Sequence, residues 1–121
     1  MKKVTMVILL GIAVAAVAAV NPLEWKSTKI ELGAVKAGES HSINFEFTNE
    51  GLEPVLILEA KGSCGCTNVK YPKTEIGPGE SASISATFTS KKAGVFNKNI
   101  KIRTSASEDY TYLHFSGEVI L

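Results

Sequence analysis

The stretch His41-Ser42-Ile43-Asn44-Phe45-Glu46-Phe47-Thr48 decides the fold. Ile43, Phe45 and Phe47 fall on one parity, and Ser42, Asn44, Glu46 and Thr48 on the other. That is the pattern of a β-strand with one face buried and one face wet. Working outward, the same alternation returns from Ser81 to Thr89, with Ala82, Ile84, Ala86 and Phe88 inward and Ser83, Ser85 and Thr87 outward. Phe96, Ile100 and Ile102 share a parity that Lys98 interrupts, and Leu113, Phe115, Val119 and Leu121 share another in the last run, Tyr110 to Leu121.

The remaining segments are shorter. Thr28, Ile30 and Leu32 fall in step and predict a first edge strand within Trp25 to Leu32, followed by a turn region from Gly33 to Glu39. Val55-Leu56-Ile57-Leu58, four apolar residues behind Pro54, reads as a central strand buried on both faces. Val69, Tyr71 and Pro72 suit a loop or a short edge segment, and Ser105 to Asp109 a polar loop. Asn49-Glu50-Gly51, Gly77-Pro78-Gly79 and Lys92-Ala93-Gly94 are turn cues.

No window keeps a helical period, so no helix is expected past residue 26. About seven short strands with regular turn cues predict an immunoglobulin-like antiparallel β-sandwich over residues 27–121. A small barrel is the competing architecture. The Cys…Trp…Cys pattern of antibody domains is missing from the sequence, so no crosslink between sheets is expected, and the apolar faces must hold the domain together.

The first residues form a separate unit. Lys2-Lys3 precedes an uncharged run from Val4 to Val20, in which Ala16-Val17-Ala18 places small residues at the −3 and −1 positions of a cleavage site. This predicts a signal peptide over residues 1–18, cut after Ala18, then a short leader over 19–26. An uncleaved anchor is the competing reading, since the apolar run approaches the length of a span. Cleavage would leave an exported protein, periplasmic or secreted, with no membrane span. No cysteine follows the run, which removes a lipid anchor at that point.

Formal charge is +1; removing Lys2 and Lys3 from the thirteen basic residues leaves eleven against twelve acids, a balance of −1. The charges are interspersed, unlike the clustered basic footprint of a nucleic-acid binder. The chain also lacks a G-x-S-x-G elbow and a phosphate-cradling glycine loop, and its acids are scattered. No catalytic set is expected.

Gly62-Ser63-Cys64-Gly65-Cys66-Thr67 holds both cysteines, and three uses compete. One is a Cys64–Cys66 disulfide, a redox pair: in an extended strand these residues lie too far apart, but Gly65 permits the tighter turn required. Another is a soft metal ion such as Cu(I) on the two thiolates, or Zn²⁺ if His41 and His114 could join them. The third is structural, two small thiols packed in a bend. Lys61 and Lys70 flank the site, where they could lower a thiol pKa or serve as solvated charges. Tyr110 and Tyr112 share an outward parity and are a candidate partner surface.

Phe45-Glu46-Phe47-Thr48-Asn49-Glu50-Gly51, Pro54-Val55-Leu56-Ile57, Ser63-Cys64-Gly65-Cys66-Thr67, Pro78-Gly79-Glu80-Ser81 and Gly94-Val95-Phe96 occur in this order. Together they resemble the domain-of-unknown-function 1573 family, exported bacterial domains common in the Bacteroidetes and related to Hydin-like and PapD-like immunoglobulin folds. The resemblance covers nearly all of residues 27–121. It implies the fold and an envelope location, and it implies no activity. The expected function is a non-enzymatic protein-interaction or envelope-associated module. The alternative is a periplasmic thiol-redox or soft-metal protein that uses Cys64 and Cys66.

Overall fold

The computed structural model describes residues 21–121; the signal peptide expected over 1–18, with its cut after Ala18, lies outside the described residues. Eight strands follow in order: β1 (Leu23–Trp25), β2 (Lys29–Lys36), β3 (Ser40–Asn49), β4 (Ile57–Gly62), β5 (Thr67–Lys70), β6 (Ser81–Thr89), β7 (Gly94–Thr104) and β8 (Ser107–Ile120). They form two sheets, ordered β1-β3-β6-β5 and β2-β8-β7-β4. The described residues contain no helix.

Alternation explains the core. Ile43, Phe45 and Phe47 of β3 and Ile84, Ala86 and Phe88 of β6 bury against Ile100, Ile102, Leu113 and Phe115 of the facing sheet. Each lies on the parity that the sequence assigned inward, so pleating alone sends these side chains between the layers. Phe88 bridges the sheets. Its ring stacks on Phe96 at 4.4 Å and meets Phe115 edge-on at 5.6 Å. The only disulfide among the described residues is local, between Cys64 and Cys66, so the layers cohere through apolar burial as expected.

The start of the domain departs from expectation. Leu23–Trp25, placed in a leader, pairs antiparallel with Asn49 to Phe47 of β3. The single edge strand expected from Trp25 to Leu32 is instead two strands in two sheets. Lys26 still donates to Glu46 O at 2.9 Å, and then a Ser27 turn, with Lys29 N on Ser27 Oγ, carries the chain across. Because this crossing is not a hairpin, β2 runs parallel to β8, the one parallel pair in a sandwich otherwise antiparallel as expected. β2 also continues to Lys36, through most of the expected turn.

Three other expectations change. Val55 makes only an isolated bridge to Ile76, and β4 is an edge strand. A bulge between Ile57 and Glu59 turns Leu58 outward, so this run is not a strand buried on both faces. The polar loop at Ser105–Asp109 shrinks to a two-residue turn, since β8 already starts at Ser107. Leu121 shares the inward parity but lies past the last pair, and it is exposed.

Close approach constrains Gly117 most tightly. A Cβ at Gly117 would stand 2.6 Å from Gly33 O and 2.8 Å from Phe96 Cζ, while Gly33 itself takes a φ of 72° at the bulge in β2. Gly117→Ala is therefore expected to lose about 2 kcal/mol of unfolding free energy by overpacking, read from the urea midpoint. An unchanged midpoint would mean that β2 can move away from β8 at little cost.

Candidate functional site

The Cys-Gly-Cys turn is where the chain passes from the edge of one sheet to the edge of the other, between β4 and β5. Cys64 and Cys66 are bonded to each other, with Cα atoms 5.3 Å apart. An extended strand would separate such residues by about 6.8 Å; the turn closed by Thr67 N donating to Cys64 O at 3.3 Å draws them in. The ring encloses only Gly65, which is exposed. A crosslink spanning so few residues restricts the unfolded chain far less than the ~3 kcal/mol of a 15-residue loop.

The backbone around the turn is held without the sulfurs. Ser63 N donates to Asn99 O at 2.9 Å and Thr89 N to Cys66 O at 3.4 Å, while Asn99 N donates back to Ser63 Oγ at 3.2 Å. The Thr67 hydroxyl lies 3.7 Å from Cys64 Sγ. A groove of about 250 Å³ opens beside Cys66, with Phe88, Phe96, Val119, Lys92 and Lys98 among its lining residues and no carboxylate. In the disulfide neither sulfur is a thiolate, so the metal and packed-thiol readings apply only to a reduced protein. Nor does the fold gather the expected zinc partners. His41 stands half-buried at the inward rim of β3, and His114 lies on β8 of the other sheet, opposite Asn99 and Lys29. Among the described residues no three His, Cys, Asp or Glu side chains cluster to hold a metal ion.

The second site is the outer face of the β4-β7-β8 sheet. Tyr110 and Tyr112 are 41% and 48% exposed, with ring centroids 6.4 Å apart. Lys101 Nζ sits 4.5 Å from the Tyr110 ring, a cation–π contact that orients the ring. Arg103 lies next along β7, 3.7 Å from Glu59. Two irregularities shape this end. The β4 bulge brings Leu58 to the surface, 42% exposed. Between β7 and β8, Ile102 faces Thr111 whereas Thr104 faces Ser107, so Glu108, Asp109 and Tyr110 stand opposite Arg103 alone. A cavity of about 840 Å³ opens between them, bounded by Leu58, Arg103, Ser107, Asp109 and Tyr110.

Aromatic and aliphatic anchors with a polar rim and an arginine are the composition of a protein-docking surface. The tyrosine pair was legible from parity. Leu58 was not, because a bulge leaves no trace in the alternation of a four-residue apolar run.

Residues 23–119 match the family described as "Protein of unknown function (DUF1573)". No curated protein matches the sequence. Among solved structures, the chain is similar to the ASH / PapD-like domain 7 of human CEP192, at 13% identity and a TM-score of 0.65 over 96% of this chain and 97% of that one. It is also similar to a protein of unknown function from Porphyromonas gingivalis W83, at 18% identity and 0.69 over 85% of this chain. The Pseudomonas aeruginosa CupB2 chaperone matches at 14% identity and 0.58 over 78%. The match covers 50% and 54% of the Porphyromonas and Pseudomonas chains, about half of each. At these identities the likeness is one of fold.

Proposed function

The chain belongs to the DUF1573 family, and on that premise we propose that it is an exported, non-enzymatic docking domain that holds a protein partner on the Tyr110–Tyr112 face. The observation that carries the reading is the exposed tyrosine pair, set beside Leu58, Lys101 and Arg103 at the bulged end of the sheet. Rigid aromatic side chains on a strand contribute contact area at low entropic cost. The likeness to PapD-like domains supports an interaction role by analogy of fold.

Export rests on Lys2-Lys3, the uncharged run after it and the Ala16-Val17-Ala18 site; the disulfide suits an oxidising compartment. A mature protein beginning at residue 19 is the expected product, and an intact N-terminus on the cell-associated protein would contradict it.

Strand addition at a sheet edge is the second mode that the fold allows. Most edges discourage it: β1 and β5 have three and four residues, and β2 and β4 are interrupted by bulges. β1 covers only Phe47–Asn49 of β3, which leaves Ser40–Phe45 as the stretch with most room. One experiment separates the modes. Wild type and Tyr110→Ala/Tyr112→Ala are used to capture partners from the envelope fraction of the source cells. The tyrosine face predicts loss of capture by about tenfold or more, with stability within about 0.5 kcal/mol of wild type. Full capture by the stable double variant would refute it and move the partner to the β3 edge.

A further inference from the structure

We infer that Cys64–Cys66 is a thiol–disulfide exchange site whose substrate is an extended, acidic-flanked polypeptide segment carrying two thiols. The inference stands apart from the tyrosine face and does not depend on it. Three observations converge on the turn. The bond closes a ring around one residue, so it adds little to the fold. The hydrogen bonds of Ser63, Cys66 and Asn99 hold both ends of the turn without it, so reduction would leave the two thiols beside each other, ready to close again. The surroundings differ at the two sulfurs: Cys66 lines a groove with Lys92 and Lys98, whereas Cys64 faces the Thr67 hydroxyl.

That asymmetry assigns the roles. A substrate thiolate in the groove attacks Cys66 Sγ. A mixed disulfide forms, the Cys64–Cys66 bond breaks, and its electron pair leaves on Cys64 Sγ. The Thr67 O–H stabilises this leaving thiolate, and a better-stabilised leaving thiolate departs faster. The second substrate thiolate then attacks the substrate sulfur of the mixed disulfide and releases Cys66. The substrate is oxidised to a disulfide, this chain is reduced to a dithiol, and the two protons of the substrate thiols end on Cys64 and Cys66. Lys92 and Lys98 favour the incoming thiolate and an acidic flank, with no carboxylate in the groove to oppose them. The exposed Val95 at the rim of the groove supplies an apolar contact for an extended segment, over a floor closed by the buried Phe96 and Val119.

The test uses the oxidised, folded protein and two synthetic dithiol peptides of equal length, one with acidic and one with basic flanks. Mass spectrometry follows gain of two hydrogens by the protein and their loss from the peptide. At low salt the acidic peptide is expected to react about tenfold faster, and Lys92→Gln/Lys98→Gln should bring the two rates within about twofold. Thr67→Val should slow the first step about threefold or more without changing the peptide preference. A disulfide that opens only when the protein is unfolded in denaturant overturns the inference. Equal rates for the two peptides with wild type overturn it too. Neither outcome requires a cysteine variant to fold.

Discussion

Phe115→Ala is expected to lower unfolding free energy by about 4 kcal/mol, within the range for removing a buried aromatic ring. Phe115 is fully buried on β8, and its ring is met edge-on by Phe88 at 5.6 Å and Phe96 at 6.3 Å. Phe88 belongs to the opposite sheet. Removing the ring opens a void where the layers meet and takes two edge-to-face contacts with it. The loss should appear as a lower urea midpoint with the slope unchanged, because the folded and unfolded surfaces stay nearly the same. Leu52→Ala, at a side chain 93% exposed, provides the contrast and should stay within about 0.5 kcal/mol of wild type. A loss below about 1.5 kcal/mol at Phe115 would mean that the layers close over the gap, and that the three-ring contact is not what joins them.

Asn49→Ala should be nearly as damaging, for a different reason. Asn49 is the most completely buried polar side chain among the described residues, and its side-chain amide is engaged at both ends. Nδ2 donates to Glu53 O at 2.8 Å and to Ile76 O at 2.9 Å, while Oδ1 accepts from Gly51 N at 2.9 Å. Its backbone accepts from Gly79 N and donates to Glu80 O. One residue thus ties the turn after β3 to the segments around Ile76 and Gly79. Alanine would strand the Glu53 carbonyl and the Gly51 N–H, at about 1 kcal/mol each, and leave the Ile76 carbonyl to Val55 N alone, for a loss of about 2 to 3 kcal/mol. Asn49→Asp keeps the shape but sets an acceptor against both carbonyls, so it should be no more stable than alanine. If aspartate restored wild-type stability, the hydrogen bonds would not be the cause.

Asn49 also illustrates what a linear reading misses. In sequence it is the first residue of Asn49-Glu50-Gly51, an ordinary turn cue. Nothing nearby announces that its amide reaches Ile76, twenty-seven residues on. The bulge at Leu58 was hidden in the same way: an apolar run shows that a strand is buried somewhere, not that its pairing slips by one residue against Arg103. The Cys-Gly-Cys stretch is local, so the disulfide could be named from sequence as one of three uses, though not chosen among them. Both the turn and the bond depend only on residues from Cys64 to Thr67.

Side-chain parity belongs to the backbone of each strand, so the order of residues alone determined which side chains turn inward and where most turns fall; that the strands stack as two layers and not as a small barrel was decided by the tertiary structure. The crossing of β1 to β2, the parallel pairing with β8, the bulged end that presents Leu58 beside Tyr110, and the lysines brought to Cys66 were decided by the tertiary structure. Each depends on which distant segments lie side by side, and that is a property of the assembled layers, absent from any single strand.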